Sequence, residues 1–419
     1  MKSKVNCRSG HFFPEPVEPG RNRLKPAGSV PVLLKNNLVS GQIIKNQSVP
    51  VRFLVLIREP RRTERNNWHH RKSIMASLVK VVYTLESDRK RERQDHQALA
   101  PEWWKSFNFE LNQVLEDEQD KSIFGAIFKS CPNYTGQGPP KYVIAFRVTV
   151  NKPENVPRDY KQNLQVFLNG LKKSPRVRAG METAMNIVRE ANGPGNVWLA
   201  GHSAGSSVAL LIGRKMMEAK YSLETYLFNP PFLSFPIERI KSENLKDGLR
   251  IGKSFLTAGL VFVANGGHRP TPRENDPFNV LSTWAPHLFV NKSDPICSNY
   301  VGYFEHRKKM KRMGFGKIGN ISTQHSIRSI MYHAIGKDSE PIHLLPSAHL
   351  TINISPPINM RKCEMLDAHG IHQWWNPDLQ VDSIVYSVEN GTCNVRLYMN
   401  THLRFIVSHG GRFIHADDE

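Results

Sequence analysis

Apolar and polar positions follow two different periods along the chain, and together they predict a series of helices and strands. Apolar residues recur at helical spacing in four segments: 73–85, 103–115, 176–192 and 206–219. Short apolar runs rich in β-forming residues are typical of buried strands, and five occur: 141–147, 196–200, 223–228, 287–290 and 350–354. Because strands and helices alternate, the pattern predicts an α/β domain with a mostly parallel central sheet and helices on both faces.

The patterning divides the chain into three parts. Residues 1–65 are basic and weakly patterned, which predicts an N-terminal extension, and residues 386–419 are expected to form a C-terminal tail. Residues 66–385 carry the alternating elements and form the predicted domain. No run approaches 18 apolar residues, and the first residues lack the apolar segment of a signal peptide. We therefore expect a cytoplasmic protein without a transmembrane helix, and targeting to an organelle by the basic N-terminus stays an alternative.

Composition and charge narrow the function classes only slightly. Lys and Arg number 57 against 37 Asp and Glu, a formal net charge of +20. Residues 1–94 hold 20 of the basic and 7 of the acidic residues, so most of the excess lies near the N-terminus. Because no nucleic-acid-binding signature accompanies the charge, nucleic acid is an unlikely partner. The five scattered cysteines form no CxxC pair, which argues against a zinc ribbon or a disulfide scaffold.

The strongest chemical motif is Gly201-His202-Ser203-Ala204-Gly205, between the strand predicted at 196–200 and the helix predicted at 206–219. A G-x-S-x-G turn between a strand and a helix is typical of a nucleophile elbow, which lifts the serine hydroxyl above the sheet. The two glycines are expected where a side chain would collide with the crowded strand and helix. Ser203 is thus the predicted nucleophile, and the alternative is a serine that merely caps the helix.

A serine nucleophile needs a base and an acid, and on this kind of sheet they follow the serine in chain order. Asp294 comes just after the strand predicted at 287–290, and His369 and His372 lie beyond the strand predicted at 350–354. Either histidine could serve as the base, and Asp294 could instead be an ordinary turn residue. The two histidines lack the accompanying ligands of a metal site, so no metal or cofactor is expected.

An oxyanion hole is expected to combine the backbone N–H of Ala204 with a donor from the loop after the strand at 141–147. Thr149 lies in that loop and offers both a hydroxyl and an N–H group. The alternative is that Thr149 is an ordinary residue at the end of a strand.

On these residues the chain resembles the plant lipase class 3-like proteins of the α/β-hydrolase superfamily, in particular a plant group often labelled GDSL esterase/lipase-like. The resemblance spans residues 66–385 and rests on several long segments: ALAPEWW, SIFGAI, YVIAFR, NVWLAGHSAGS, LFNPPF, SDPICSNYVGYFEHRKKM, HLLPSAHLTINIS and AHGIHQWWNPDL. It implies an α/β-hydrolase fold and a serine esterase or lipase that cleaves acyl lipids through an acyl-serine intermediate. Carried over, Ser203 is the nucleophile, Asp294 the acid and His369, in preference to His372, the base.

One departure from the family suggests an alternative function. The family usually has Phe-Arg-Gly-Thr where this chain has Phe146-Arg147-Val148-Thr149. Valine is stiff where glycine permits unusual backbone angles, so Val148 could misplace Thr149. The alternative is therefore a catalytically impaired hydrolase-fold protein that binds a lipid or another ligand.

Contact with a membrane surface is a further expectation from the sequence. The apolar run at 254–264 is too short to span a bilayer and predicts either an interfacial segment or a buried helix. The basic cluster at 307–312, with apolar residues around it, suits anionic headgroups or a solvated helix face. The sequence predicts no oligomeric state.

Overall fold

The computed structural model describes most of the predicted domain. The described residues are 68–94, 97–99, 102–131, 140–148, 164, 166–232, 249–251, 254, 256–258, 260, 277–315, 343–355, 368–376, 379–389 and 392–398. The predicted N-terminal extension at 1–65 lies outside these residues, as do Thr149 and most of the apolar run at 254–264.

One sheet organises the described residues, and its nine strands follow one another in space in chain order. The strands are β1 (Phe109–Glu116), β2 (Ile123–Ser130), β3 (Tyr142–Phe146), β4 (Val197–His202), β5 (Glu224–Phe228), β6 (His287–Asn291), β7 (Ala348–Asn353), β8 (Val381–Glu389) and β9 (Thr392–Tyr398). Strands β3 to β7 pair in parallel, and antiparallel strands flank them on both sides. The prediction of an α/β domain with a mostly parallel central sheet is confirmed.

Helices cover both faces of the sheet, as predicted. They are α1 (Trp68–Lys90), α2 (Pro175–Glu190), α3 (Ala204–Glu218), α4 (Pro277–Ser282) and α5 (Asn299–Arg312), with short 3₁₀ helices at Trp103–Phe107, Leu171–Lys173, Pro194–Asn196 and Ile371–Trp375. One face packs against α1 and the 3₁₀ helix at Ile371–Trp375, and the other packs against helices α2 to α5. The parallel strands are therefore buried on both sides, which explains their continuous apolar sequences.

The prediction of a helix over residues 103–115 is wrong. A 3₁₀ helix ends at Phe107, the next residue, Asn108, has a left-handed φ of 59°, and β1 begins at Phe109. The pairing of β1 with β2 shifts register between Leu111 and Gln113, which is a bulge. A bulge interrupts the alternation of inward and outward side chains, so the apolar residues of β1 imitate helical spacing. The following segment at 123–130, which carried no strand prediction, forms β2.

The boundary predicted at residue 386 falls inside β8, so the predicted tail is wrong for the residues up to 398. Strands β8 and β9 form an antiparallel hairpin that adds two strands to the sheet beside β7. Tyr386 and Val388 are buried, whereas several neighbours in β8 are half-buried. Strands near the edge of a sheet bury few side chains, so their sequences carry a weak pattern.

Candidate active site

The turn between β4 and α3 places Ser203 at the carboxyl end of the sheet in a strained conformation. Its backbone has φ 54° and ψ −128°, a combination that residues other than glycine rarely adopt. A Cβ atom on Gly201 would lie 2.5 Å from the carbonyl oxygen of Gly205. A Cβ atom on Gly205 would lie 2.5 Å from the carbonyl oxygen of Phe146. Both positions therefore require glycine, because any side chain there would collide with the neighbouring backbone.

Ser203, His369 and Asp294 form a continuous hydrogen-bonded line. The Ser203 Oγ lies 2.8 Å from Nε2 of His369, and Nδ1 of His369 lies 2.7 Å from Oδ2 of Asp294. Asp294 follows β6 and is fully buried, while the imidazole of His369 keeps 15 % of its surface exposed. With Nδ1 protonated and bonded to the carboxylate, Nε2 is free to accept the serine proton. This is the arrangement of a nucleophile, a base and an orienting acid.

Asp294 is held as a carboxylate by several donors. Its Oδ1 accepts the N–H of Ile296 at 2.9 Å, and its Oδ2 accepts Nδ2 of Asn229 at 2.8 Å and Sγ of Cys297 at 3.1 Å. Burial works against the charged form, but His369 and the hydrogen bonds outweigh it and lower the pKa of Asp294. The acid is therefore ionised at neutral pH and can stabilise a positive charge on His369.

Asn229 is a site residue that the sequence analysis did not single out. It follows β5 with φ 47° and is fully buried. Its Nδ2 also donates to the carbonyl of Ala368 at 3.0 Å, and its Oδ1 accepts Nε1 of Trp374 at 2.7 Å. One amide thus connects the acid, the backbone beside the base and the 3₁₀ helix that follows. Its position at a strand end before two prolines is the only sequence signal that could have identified it.

His202 of the elbow motif is buried beside the line of three residues. Its Nδ1 lies 3.0 Å from the hydroxyl of Tyr83 in α1, and its Nε2 lies 2.7 Å from the carbonyl oxygen of His369. Burial, with a smaller contribution from His369, lowers the pKa of His202 to about 3. The side chain is therefore a neutral imidazole at physiological pH.

The second histidine of the predicted pair occupies a different environment. His372 is exposed on the 3₁₀ helix at Ile371–Trp375, and it is His369 that bonds both Ser203 and Asp294. In the part of the chain that the structure describes, no group of three or more His, Cys, Asp or Glu side chains is placed to hold a metal ion.

Only one of the two residues predicted to form the oxyanion hole lies within the described residues. Ala204 is the first residue of α3, so its backbone N–H has no partner within the helix and lies at the positive end of the helix dipole. Thr149 lies outside the described residues. Val148, which precedes it, is buried in the core that packs against α2 and α3.

The predicted basic cluster does not form one exposed patch. Arg307 is buried and donates to the carbonyl of Leu345 at 3.0 Å, so it does not face a membrane surface. Lys311 and Arg312 are exposed at the end of α5. In the described part of the run at 254–264, Ser254 and Thr257 are buried and Leu256 is exposed. Among the described helices, none is both long and apolar enough to cross a bilayer.

Comparison with known proteins identifies one close relative. The chain is 41 % identical over 334 residues to GDSL esterase/lipase At4g10955 of Arabidopsis thaliana, a match that covers 76 % of this chain and 93 % of the relative. No protein-family model matches the chain.

Two solved structures overlap with the chain weakly. A candidate esterase from Staphylococcus aureus is 15 % identical, with 59 % of this chain and 85 % of the other covered at a TM-score of 0.25. An esterase from Pyrobaculum calidifontis is 12 % identical, with 68 % and 99 % covered at a TM-score of 0.22. Neither overlap defines the fold, which the strand order of the sheet establishes.

Proposed function

Because the chain belongs to the family of the Arabidopsis GDSL esterase/lipase, we propose that it is a serine hydrolase that cleaves carboxylic esters through an acyl-serine intermediate. The hydrogen-bonded line from Ser203 through His369 to Asp294 is the observation that carries this proposal.

In the proposed reaction, Nε2 of His369 accepts the proton of Ser203 as Oγ attacks the ester carbonyl. The imidazolium that forms is stabilised by the carboxylate of Asp294, 2.7 Å from Nδ1. The tetrahedral intermediate then collapses, and His369 returns the proton to the departing alcohol. Water, activated by the same imidazole, attacks the acyl-serine and releases the carboxylic acid.

The negative charge of the tetrahedral intermediate needs donors in place before the reaction begins. We assign the backbone N–H of Ala204 as one donor, supported by its position at the start of α3. The second donor is expected from the loop after β3, where Thr149 remains the proposed residue. A preorganised pair of donors of this kind typically contributes several kcal/mol to the barrier reduction.

The substrate class that we propose is an acyl lipid. The relative's name includes both esterase and lipase, and the resemblance of residues 66–385 to class 3 lipase-like proteins points in the same direction. A panel of phospholipid, galactolipid, triacylglycerol and short-chain esters would identify the class. Activity on short-chain esters alone would contradict the lipid assignment while leaving the ester hydrolase proposal intact.

The decisive test compares Ser203→Ala with the wild-type protein and with Ser207→Ala, a buried serine one turn further along α3. We expect Ser203→Ala to lose p-nitrophenyl-ester hydrolysis and labelling by a fluorophosphonate probe, whereas Ser207→Ala keeps both. Residual wild-type activity in Ser203→Ala would overturn the assignment of the nucleophile.

A binding protein without activity is the second candidate, and Val148 is the observation that favours it. If the folded wild-type protein neither reacts with the probe nor hydrolyses any ester, the binding alternative gains support. A gain of activity in Val148→Gly would then locate the defect in the loop after β3. Because Val148 is buried in the core, that variant should also lose roughly 2 kcal/mol of stability.

A further inference from the structure

The backbone that carries His369 is held at three consecutive carbonyl groups by three different side chains. The carbonyl of Ala368 accepts Nδ2 of Asn229 at 3.0 Å and Nε2 of Gln373 at 2.8 Å. The carbonyl of Gly370 accepts Nε2 of Gln373 at 2.8 Å. The carbonyl of His369 itself accepts Nε2 of His202 at 2.7 Å. The orientation of the base therefore depends on side chains from other parts of the chain.

The hydrogen bonds of His202 define the tautomer of its neutral ring. A backbone carbonyl can only accept, so Nε2 must carry the proton that is donated to the carbonyl of His369. In the neutral ring Nδ1 is then an acceptor, and the hydroxyl of Tyr83 donates to it at 3.0 Å. The carbonyl of His369 thus sets the tautomer of His202, and the hydroxyl of Tyr83 satisfies the ring nitrogen that is left as an acceptor.

A neutral His202 also suits the chemistry next to it. The rings of His202 and His369 are 5.1 Å apart, and His369 becomes positively charged during the proposed reaction. A second positive charge at that distance would disfavour the imidazolium. Burial keeps the pKa of His202 near 3, so this repulsion is absent at physiological pH.

Tyr83 is itself fixed by contacts outside the site. The guanidinium of Arg147 lies 5.2 Å from the centre of the Tyr83 ring, which is the geometry of a cation–π contact. Arg147 is buried, donates to the carbonyl of Ile123 at 2.9 Å and lies 3.6 Å from the carboxylate of Glu86 in α1. These contacts join α1 to β2 and β3 and present the Tyr83 hydroxyl in one place.

We propose that Tyr83 and His202 are positioning residues that hold the backbone of His369, and through it the imidazole, between Ser203 and Asp294. The proposal rests on the proposed function, because it concerns the base of that reaction. Neither side chain is required to touch the substrate. Their effect is on the geometry of proton transfer, where misplacement by about 1 Å can cost roughly 100-fold in rate.

The test uses the full chain and four variants with known contacts. His202→Leu removes both hydrogen bonds, whereas His202→Gln keeps an N–H group that can reach the carbonyl of His369. Tyr83→Phe removes only the hydroxyl that donates to Nδ1. Tyr226→Phe is the matched control, because it removes a tyrosine hydroxyl that donates to Glu224 at 2.6 Å at the opposite end of the parallel strands.

We expect kcat to fall by roughly 10- to 100-fold in His202→Leu, with KM nearly unchanged, and by about fivefold to tenfold in Tyr83→Phe. His202→Gln should recover part of the loss relative to His202→Leu. Tyr226→Phe should keep wild-type kcat even if its melting temperature falls as far as that of Tyr83→Phe. The proton between His369 Nδ1 and Asp294, followed by NMR, should shift or broaden in His202→Leu and Tyr83→Phe but not in the control.

Two results would overturn the proposal. The first is a wild-type kcat and an unchanged Nδ1 proton signal in folded His202→Leu. The second is an equal loss of kcat in Tyr226→Phe, which would show that the effect follows stability alone. Failure of the proposed function is distinguishable, since the wild-type protein would then show no ester hydrolysis and no labelling of Ser203.

Discussion

Replacing Asn229 with alanine removes the amide that joins the acid, the backbone beside the base and the 3₁₀ helix after it. The substitution leaves Nε1 of buried Trp374 without its partner and removes one donor each from Asp294 and the carbonyl of Ala368. Both acceptors keep other donors: His369 and Cys297 on Asp294, and Gln373 on Ala368. The unpaired Nε1 of Trp374 therefore makes the largest single contribution to the expected loss of stability.

The magnitude follows from these contacts. An orphaned buried donor costs about 1–3 kcal/mol, and each of the two other lost hydrogen bonds costs about 1 kcal/mol. Alanine at a φ of 47° adds about 1 kcal/mol, because a Cβ atom disfavours the left-handed region. We therefore expect Asn229→Ala to lose about 4–6 kcal/mol of unfolding free energy and to lower kcat. Asn229→Gly should lose about 1 kcal/mol less, since glycine tolerates the backbone angle.

Urea denaturation followed by tryptophan fluorescence measures the change in unfolding free energy, and ester hydrolysis measures kcat. Asn196→Ala is the control, because it removes a single amide donor to the carbonyl of Ala191, at 3.0 Å. It should cost about 1 kcal/mol and leave kcat unchanged. A loss below about 1 kcal/mol in Asn229→Ala would refute the reasoning, because the orphaned tryptophan alone should exceed it.

Two other predictions concern folding and pH. Gly205→Ala should prevent folding or cost several kcal/mol of stability, because its Cβ would lie 2.5 Å from a backbone oxygen. Gly195→Ala, whose Cβ would meet nothing within 4 Å, should change stability by less than about 0.5 kcal/mol. Equal solubility and equal melting temperatures of the two variants would contradict this prediction. Burial lowers the pKa of His349 to about 4 and that of His202 to about 3. Because the unfolded chain binds these protons near pH 6.5, stability should fall as pH drops from about 6.5 towards 4, by a few kcal/mol in total. Melting temperatures measured across that pH range should fall less steeply in His349→Phe than in the wild-type protein. An identical slope in the two proteins would contradict a lowered pKa of His349.

The local sequence pattern predicted those features of the protein that depend on residues close together in the chain. Strands β3 to β7 are buried on both faces, so their apolar runs are visible without any knowledge of the neighbours. The glycines of the elbow flank Ser203 within five residues, so the motif is visible in the local sequence. The close backbone approach that requires Gly201 arises within the same turn, whereas the one that requires Gly205 involves Phe146 of β3. The sequence also showed that Asp294 lies just beyond a strand end, which is why it was predicted to be the acid. It narrowed the base to two histidines.

Only the tertiary structure decided the features that depend on distant partners. His369 and Asp294 are 75 residues apart, and the hydrogen bond that distinguishes His369 from His372 exists only once β6 and the 3₁₀ helix at Ile371–Trp375 are packed. Asn229 and Tyr83 carry no local sign of their contacts, because their partners lie more than 60 residues away. The bulged strand β1 and the hairpin of β8 and β9 were missed for the same reason. Pairing with neighbouring strands, rather than their own apolar content, holds them in the sheet.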